Sequence, residues 1–130
     1  RMCQNNFLLL GHNKIASETM SAAECIYKKQ LSNFYVLDIQ KNENKIQIEK
    51  RIVEKINSLS QNKNLLILTD VYGCTHSNII LSQKKNNFFS CVFGFNLPIL
   101  LKIINYKNLK LDEILKKIQD SLIENIKFIY

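Results

Sequence analysis

Four short apolar runs, each separated from the next by a stretch with helical spacing, leave this chain few folds to choose from. The runs cover 7–11, 34–39 (Phe-Tyr-Val-Leu-Asp-Ile), 65–69 and 88–93 (Phe-Phe-Ser-Cys-Val-Phe). Between the first two, Ala16, Met20, Ala23 and Tyr27 mark one stripe of a helix near 16–29. Ile48, Ile52, Ile56 and Leu59 mark a second stripe, and a short third crossover falls near 76–84. Strands that alternate with helices pair in parallel and are covered on both faces. The near-continuous apolar character of the runs agrees, because such strands are buried on both sides. The expected fold is α/β, a three-layer α/β/α sandwich around a central, mainly parallel sheet.

After the fourth run, Asn96-Leu97-Pro98 opens a helix, with Asn as cap and Pro in the first turn. Asp112 is read as the cap of a last amphipathic helix carrying Leu115, Ile118 and Leu122. The chain closes on Ile126-Lys127-Phe128-Ile129-Tyr130, which reads as a strand following its helix with almost no loop. Its apolar face needs a sheet partner, and a neighbouring subunit is the expected source. There is no repeat, linker or low-complexity segment. Residues 2–130 are read as one domain, with Arg1 set outside the fold.

Composition then narrows the function. The chain is 46% hydrophobic, enough for a full core. No apolar run approaches the roughly 20 residues of a membrane helix. The longest, Leu97 to Ile104, is interrupted by Pro98 and Lys102. No signal peptide is read after Met2, so the expected location is the cytoplasm. Cys3, Cys25, Cys74 and Cys91 form no CxxC pair, and with His12 and His76 they make no familiar zinc spacing. They are read as reduced thiols. The net charge is +7, but the lysines are spread over helix faces and turns without an arginine cluster. That pattern argues against nucleic acid and suits the steering of an acidic protein partner.

The candidate chemistry lies at the strand ends. The first run ends in Gly11-His12 and the third in Thr69-Asp70. In a parallel sheet both ends share one edge, where α/β proteins place their sites. An aspartate that accepts one imidazole proton fixes the tautomer and leaves the other nitrogen free as a nucleophile. The alternative is a histidine satisfied by backbone and an aspartate capping the next loop. In Asp70-Val71-Tyr72-Gly73-Cys74-Thr75-His76-Ser77-Asn78, Gly73 allows a tight turn, and Thr75 or Ser77 can cap the next helix. Amides at such a helix start favour a phosphate. Cys74 is either an activated thiol or a passive small residue. His76 is read as solvated, with a second catalytic role as the alternative. Tyr72 either lines the crevice or packs. Asn96 is an N-cap or a third crevice residue.

Three segments together resemble the enzyme IIA domain of the mannose family of the bacterial sugar phosphotransferase system. They are His12 followed by Ser21-Ala22-Ala23-Glu24, Thr69 to Asn78, and Gly94-Phe95-Asn96-Leu97-Pro98-Ile99-Leu100. They recur in the family's order and spacing over essentially the whole chain. The resemblance implies that His12 accepts a phosphoryl group from the phosphocarrier protein HPr and passes it to a separate IIB protein. It implies that Asp70 orients His12, and that Gly73, Cys74, Thr75 and Asn96 hold the phosphoryl group. It implies no metal and no cofactor. It also implies a homodimer that exchanges its last strand, with the membrane reached only through the transporter complex. The chain departs from the family pattern at Asn13 and Cys74, where glycines are usual, and at His76, where proline is usual. Two other classes stand as alternatives. One is a regulatory module reporting the state of the system through protein contacts. The other, a small-nucleotide-binding domain, lacks any glycine-rich fingerprint.

Overall fold

In a computed structural model describing residues 5–130, all four apolar runs are strands of one parallel sheet. Arg1 and Cys3, both singled out in the sequence, lie outside the described residues. The strands are β1 (Asn5–His12), β2 (Phe34–Ile39), β3 (Asn64–Thr69) and β4 (Ser90–Phe93). Between and after them run α1 (Ile15–Tyr27), α2 (Lys45–Ser60), α3 (Thr75–Gln83), α4 (Leu97–Asn105) and α5 (Leu111–Asp120). The spatial order is β2-β1-β3-β4, which puts β1 and β3 side by side at the centre.

Alternation along β1 and β3 divides the core into two. Phe7, Leu9, Leu66 and Leu68 face one way, against Ala16, Met20 and Ala23 of α1 and the apolar faces of α4 and α5. Leu8, Leu10, Leu65 and Ile67 face the other way, against Ile48, Ile52, Ile56 and Leu59 of α2 and Ile79 and Ile80 of α3. This is the expected three-layer sandwich. Asn44 caps α2 reciprocally: its side chain accepts from the Gln47 amide at 2.9 Å, and its own amide donates to Gln47 Oε1 at 3.0 Å. Asn96 caps α4 as anticipated, accepting from the Ile99 amide at 2.9 Å. The Asn5 side chain donates to the carbonyls of Lys107 and Leu109 at 3.0 and 2.7 Å, tying the start of β1 to the α4–α5 connection.

The last segment differs from the sequence reading in three ways. Lys110, not Asp112, is the N-cap of α5, and Asp112 sits in its first turn. Leu122 lies beyond the helix, so the fully buried stripe is Ile114 and Ile118. The helix ends at Asp120, and at its C-cap the Ser121 hydroxyl donates to the carbonyls of Lys117 and Ile118 at 3.0 and 3.2 Å. After a 3₁₀ turn at Ile123–Asn125, residues 126–130 form no ladder with any of the described residues. Ile126, Phe128, Ile129 and Tyr130 are exposed there. A strand exists only where its backbone finds a partner, and β4 is paired on one side alone. No helix among the described residues is long and apolar enough to cross a membrane.

Candidate functional site

The register of the sheet brings His12 and Asp70 together. Leu10 of β1 pairs with Thr69 of β3, so His12 and Asp70 both emerge just past the carboxyl end of the paired region. Asp70 Oδ2 accepts the His12 backbone N–H at 2.9 Å and lies 2.7 Å from His12 Nδ1. Its other oxygen, Oδ1, lies 2.8 Å from His76 Nε2. One carboxylate therefore holds two imidazoles, whose ring centroids are 4.6 Å apart in an edge-on arrangement.

Burial raises the Asp70 carboxyl pKa, but the backbone N–H of His12, the two imidazole contacts and the charge of His76 outweigh it and bring it down to about 2. Asp70 is thus ionised near neutrality and has no proton to give. Each nitrogen facing it must carry one, so Nδ1 of His12 and Nε2 of His76 are donors. The lone pairs of neutral His12 and His76 then sit on Nε2 and Nδ1 respectively. The two rings differ in access. The His12 side chain is 49% exposed, whereas that of His76 is 2% exposed.

Burial pulls the His76 pKa below its usual value, with Asp70 opposing and His12 adding to the fall. Its position explains the burial that the sequence reading missed. His76, Ile79 and Ile80 share the face of α3 that packs on the sheet, at helical spacing from one another. That spacing was the available signal. Gly11 was also missed. A Cβ there would lie 3.2 Å from Asp70 Cγ and Oδ2, so glycine lets the carboxylate sit close beside β1, where any larger residue would press against it. Asn13 adopts φ +52°, a conformation that glycine favours and asparagine tolerates, so this departure from the family pattern costs little.

The α3 turn is built differently from expectation. Cys74 is the N-cap, and neither Thr75 nor Ser77 occupies that place. Ser77 Oγ instead reaches back, accepting from the amides of Gly73 and Cys74 at 2.8 and 2.9 Å. Gly73 has φ +92°, which its lack of a Cβ permits. The first amides of α3, those of Thr75 and His76 included, have no intrahelical partner. On the other side, the amides of Gly94 and Phe95 donate to the Thr69 carbonyl at 2.7 and 3.2 Å, holding the turn before Asn96 against the end of β3. Asn96 itself is engaged as a cap. Tyr72 is exposed and stacks edge-on against Phe93 at 5.1 Å. Cys25, Cys74 and Cys91 are free thiols, and burial, partly opposed by Lys84, pushes that of Cys91 up to about 12.

These shifts set an expected pH response of stability. His76 titrates lower folded than unfolded, so the unfolded chain binds the extra proton first. Its contribution is complete above the unfolded value near 6.5 and is lost as pH falls through the folded one. Asp70 acts in a separate window, lost as pH falls from 3.8 through about 2. Urea midpoints at pH 7.5 and 5 should therefore show the advantage of wild type over His76→Gln narrowing on acidification. A constant gap between the two proteins counts against a buried neutral His76.

Residues 6–119 match the family described as PTS system fructose IIA component. Among solved structures, the PTS IIA protein associated with the fucose utilization operon of Streptococcus pneumoniae is 25% identical. That alignment covers 92% of each chain at a TM-score of 0.78. The mannose/sorbose specific IIA subunit of Enterococcus faecalis is 16% identical over 98% of this chain and 96% of its own, at a TM-score of 0.85. A sigma-54 interaction domain protein of Enterococcus faecalis shares the fold at 16% identity, covering 95% of this chain and 94% of its own, at a TM-score of 0.69. No match is found among curated protein sequences.

Proposed function

Because the chain belongs to the phosphotransferase-system IIA family of the mannose and fructose type, we propose that it relays a phosphoryl group through His12. The observation that carries this is the pairing of an ionised Asp70 with Nδ1 of a half-exposed His12, which leaves the lone pair on Nε2 unused by Asp70. In the relay, that lone pair attacks the phosphorus of phosphorylated HPr. The N–P bond to the carrier imidazole breaks, and that ring keeps the electron pair. His12 then passes the group to a IIB protein by the reverse of the same step. Asp70 stabilises the positive charge that develops on the ring as the new bond forms. The first-turn amides of α3, with Thr75 among them, and the surrounding Gly73, Cys74 and Asn96 are the groups proposed to receive the phosphoryl oxygens. Exchange between two phosphohistidines is nearly balanced, so positioning and charge stabilisation suffice. Such a protein acts in the cytoplasm, beside the transporter.

Incubation with phosphoenolpyruvate, enzyme I and HPr tests the proposal. An acid-labile gain of one phosphoryl group on His12 is expected. No gain in the wild-type chain, or a label on His76, rules the relay out and favours the regulatory module.

The protein is further proposed to act as a homodimer that exchanges residues 126–130. Those residues are extended at Ile126, expose Phe128, Ile129 and Tyr130, and among the described residues neither they nor the outer edge of β4 have a strand partner. Deleting 126–130 should turn a dimer into a monomer or an aggregate in light scattering. A wild-type chain that is monomeric at all practical concentrations overturns the exchange.

A further inference from the structure

Two of the three departures from the family pattern, Cys74 and His76, stand beside His12. One ligand atom from each of these three residues lies within 4.8 Å of the other two. We propose that His12, Cys74 and His76 form a zinc site, and that zinc held there caps the nitrogen through which His12 accepts a phosphoryl group. The second half of this proposal rests on the relay described above. The first half does not.

The donor set fits the ion. Zinc takes imidazole nitrogen and thiolate sulfur at about 2.0–2.3 Å, and sites with three protein ligands leave a fourth position for water. Ligand atoms around such an ion stand about 3.3–3.8 Å apart, as those bond lengths and tetrahedral angles require. Closing from 4.8 Å asks for a small rotation, which the half-exposed His12 and the partly exposed Cys74 can make. His76 is held through Nε2 on Asp70, which leaves Nδ1 as its binding nitrogen.

Asp70 supplies what imidazole ligands usually require. A zinc-bound histidine donates its other N–H to a carboxylate or carbonyl, which fixes the ring and the coordinating lone pair. Here a single carboxylate does this for both rings, through Oδ2 to His12 and Oδ1 to His76. Binding converts the Cys74 thiol to a zinc thiolate and releases one proton to solvent. No electron transfer is involved. The sequence spacing gave no hint of this, because His12 belongs to a different strand end from Cys74 and His76. Only the β1–β3 register brings the three together.

The occupied site and the phosphorylated site exclude each other. Nε2 of His12 has one lone pair, and a phosphoryl group or a metal ion uses it up. Free zinc therefore competes with HPr for the same atom.

The test uses the full chain and two readouts. Cobalt(II) as a spectroscopic stand-in should bind one equivalent, with tetrahedral visible bands and a thiolate-to-cobalt band in the near ultraviolet. Zinc should displace it, and competition with a chromophoric chelator gives the zinc affinity. Cys74→Ser keeps a good helix N-cap while removing the soft ligand. It should abolish the thiolate band and weaken zinc by more than the roughly 10–100-fold that losing an outer-shell partner costs. His76→Gln, which keeps a donor toward Asp70, should weaken zinc comparably. In the second readout, zinc should slow phosphorylation of the wild-type chain, and this ratio to the metal-free rate should move toward one in Cys74→Ser.

No thiolate band, or equal zinc affinity in wild type and both variants, overturns the site. Cobalt binding with the thiolate band in a chain that never takes a phosphoryl group supports the site and overturns the capping role. Phosphorylation that proceeds at its metal-free rate with zinc bound also overturns the capping role.

Discussion

His12→Ala should reduce phosphoryl uptake from HPr to background, while the protein stays folded. In a serine protease, removing the covalent nucleophile costs on the order of 10⁶-fold in turnover. The loss here should look even more complete, because the product is the covalent adduct itself and water offers no route to it. The neighbouring ring cannot substitute. His76 is 1% exposed and its Nε2 faces Asp70 at 2.8 Å, so a carrier phosphohistidine cannot line up with that ring. Folding should survive, since the His12 side chain is 49% exposed and the backbone N–H that Asp70 accepts remains in the alanine variant. Mass spectrometry at neutral pH, with acid treatment as the control for a phosphoramidate, reads the result. Full-level labelling of His12→Ala would remove His12 from the relay and require another acceptor.

Much of this fold can be read from spacing alone. The four apolar runs become parallel strands because each is followed by a segment whose apolar residues recur every three or four positions. That order permits little else. His12 and Asp70 follow from the same logic, since the runs end there and parallel strands end together. What spacing cannot supply is depth. His76 reads as a polar residue at a helix start, yet α3 packs on the sheet so that His76 and Ser77 are buried while Thr75 and Asn78 stay exposed. The role of Gly11 depends on a contact with a residue 59 positions away, and that contact appears only once the register is set. Leu122 continues the apolar stripe of α5 in the sequence, but spacing does not show where a helix ends, and α5 stops at Asp120. Residues 126–130 have strand composition without pairing to any described residue, because composition alone does not supply a partner.

Asp70→Asn should slow phosphoryl transfer by about 10²-fold, less than the roughly 10⁴-fold seen when the orienting aspartate of a serine-protease triad is made asparagine. The geometry explains the smaller number. In the triad the change gives the histidine the wrong tautomer. Here one oxygen, Oδ2, accepts both the backbone N–H and Nδ1–H of His12, at 2.9 and 2.7 Å. Turning the asparagine NH₂ toward His12 would set donors against two donors. The amide oxygen therefore takes the Oδ2 place, and His12 keeps its proton on Nδ1. The NH₂ group then falls where Oδ1 stood, 2.8 Å from His76 Nε2. His76 must become the acceptor and move its proton to Nδ1. The rate loss is then the loss of a full negative charge next to the ring on which positive charge develops, with the nucleophilic nitrogen still in place. Nitrogen-15 NMR separates the two rings: in the variant, His76 should switch tautomer and His12 should not. A tautomer switch at His12 with a loss near the triad value would show that the asparagine settles the other way round. An unchanged rate with both tautomers unchanged would show that Asp70 neither orients nor stabilises the acceptor, and the site would have to be rebuilt around other residues.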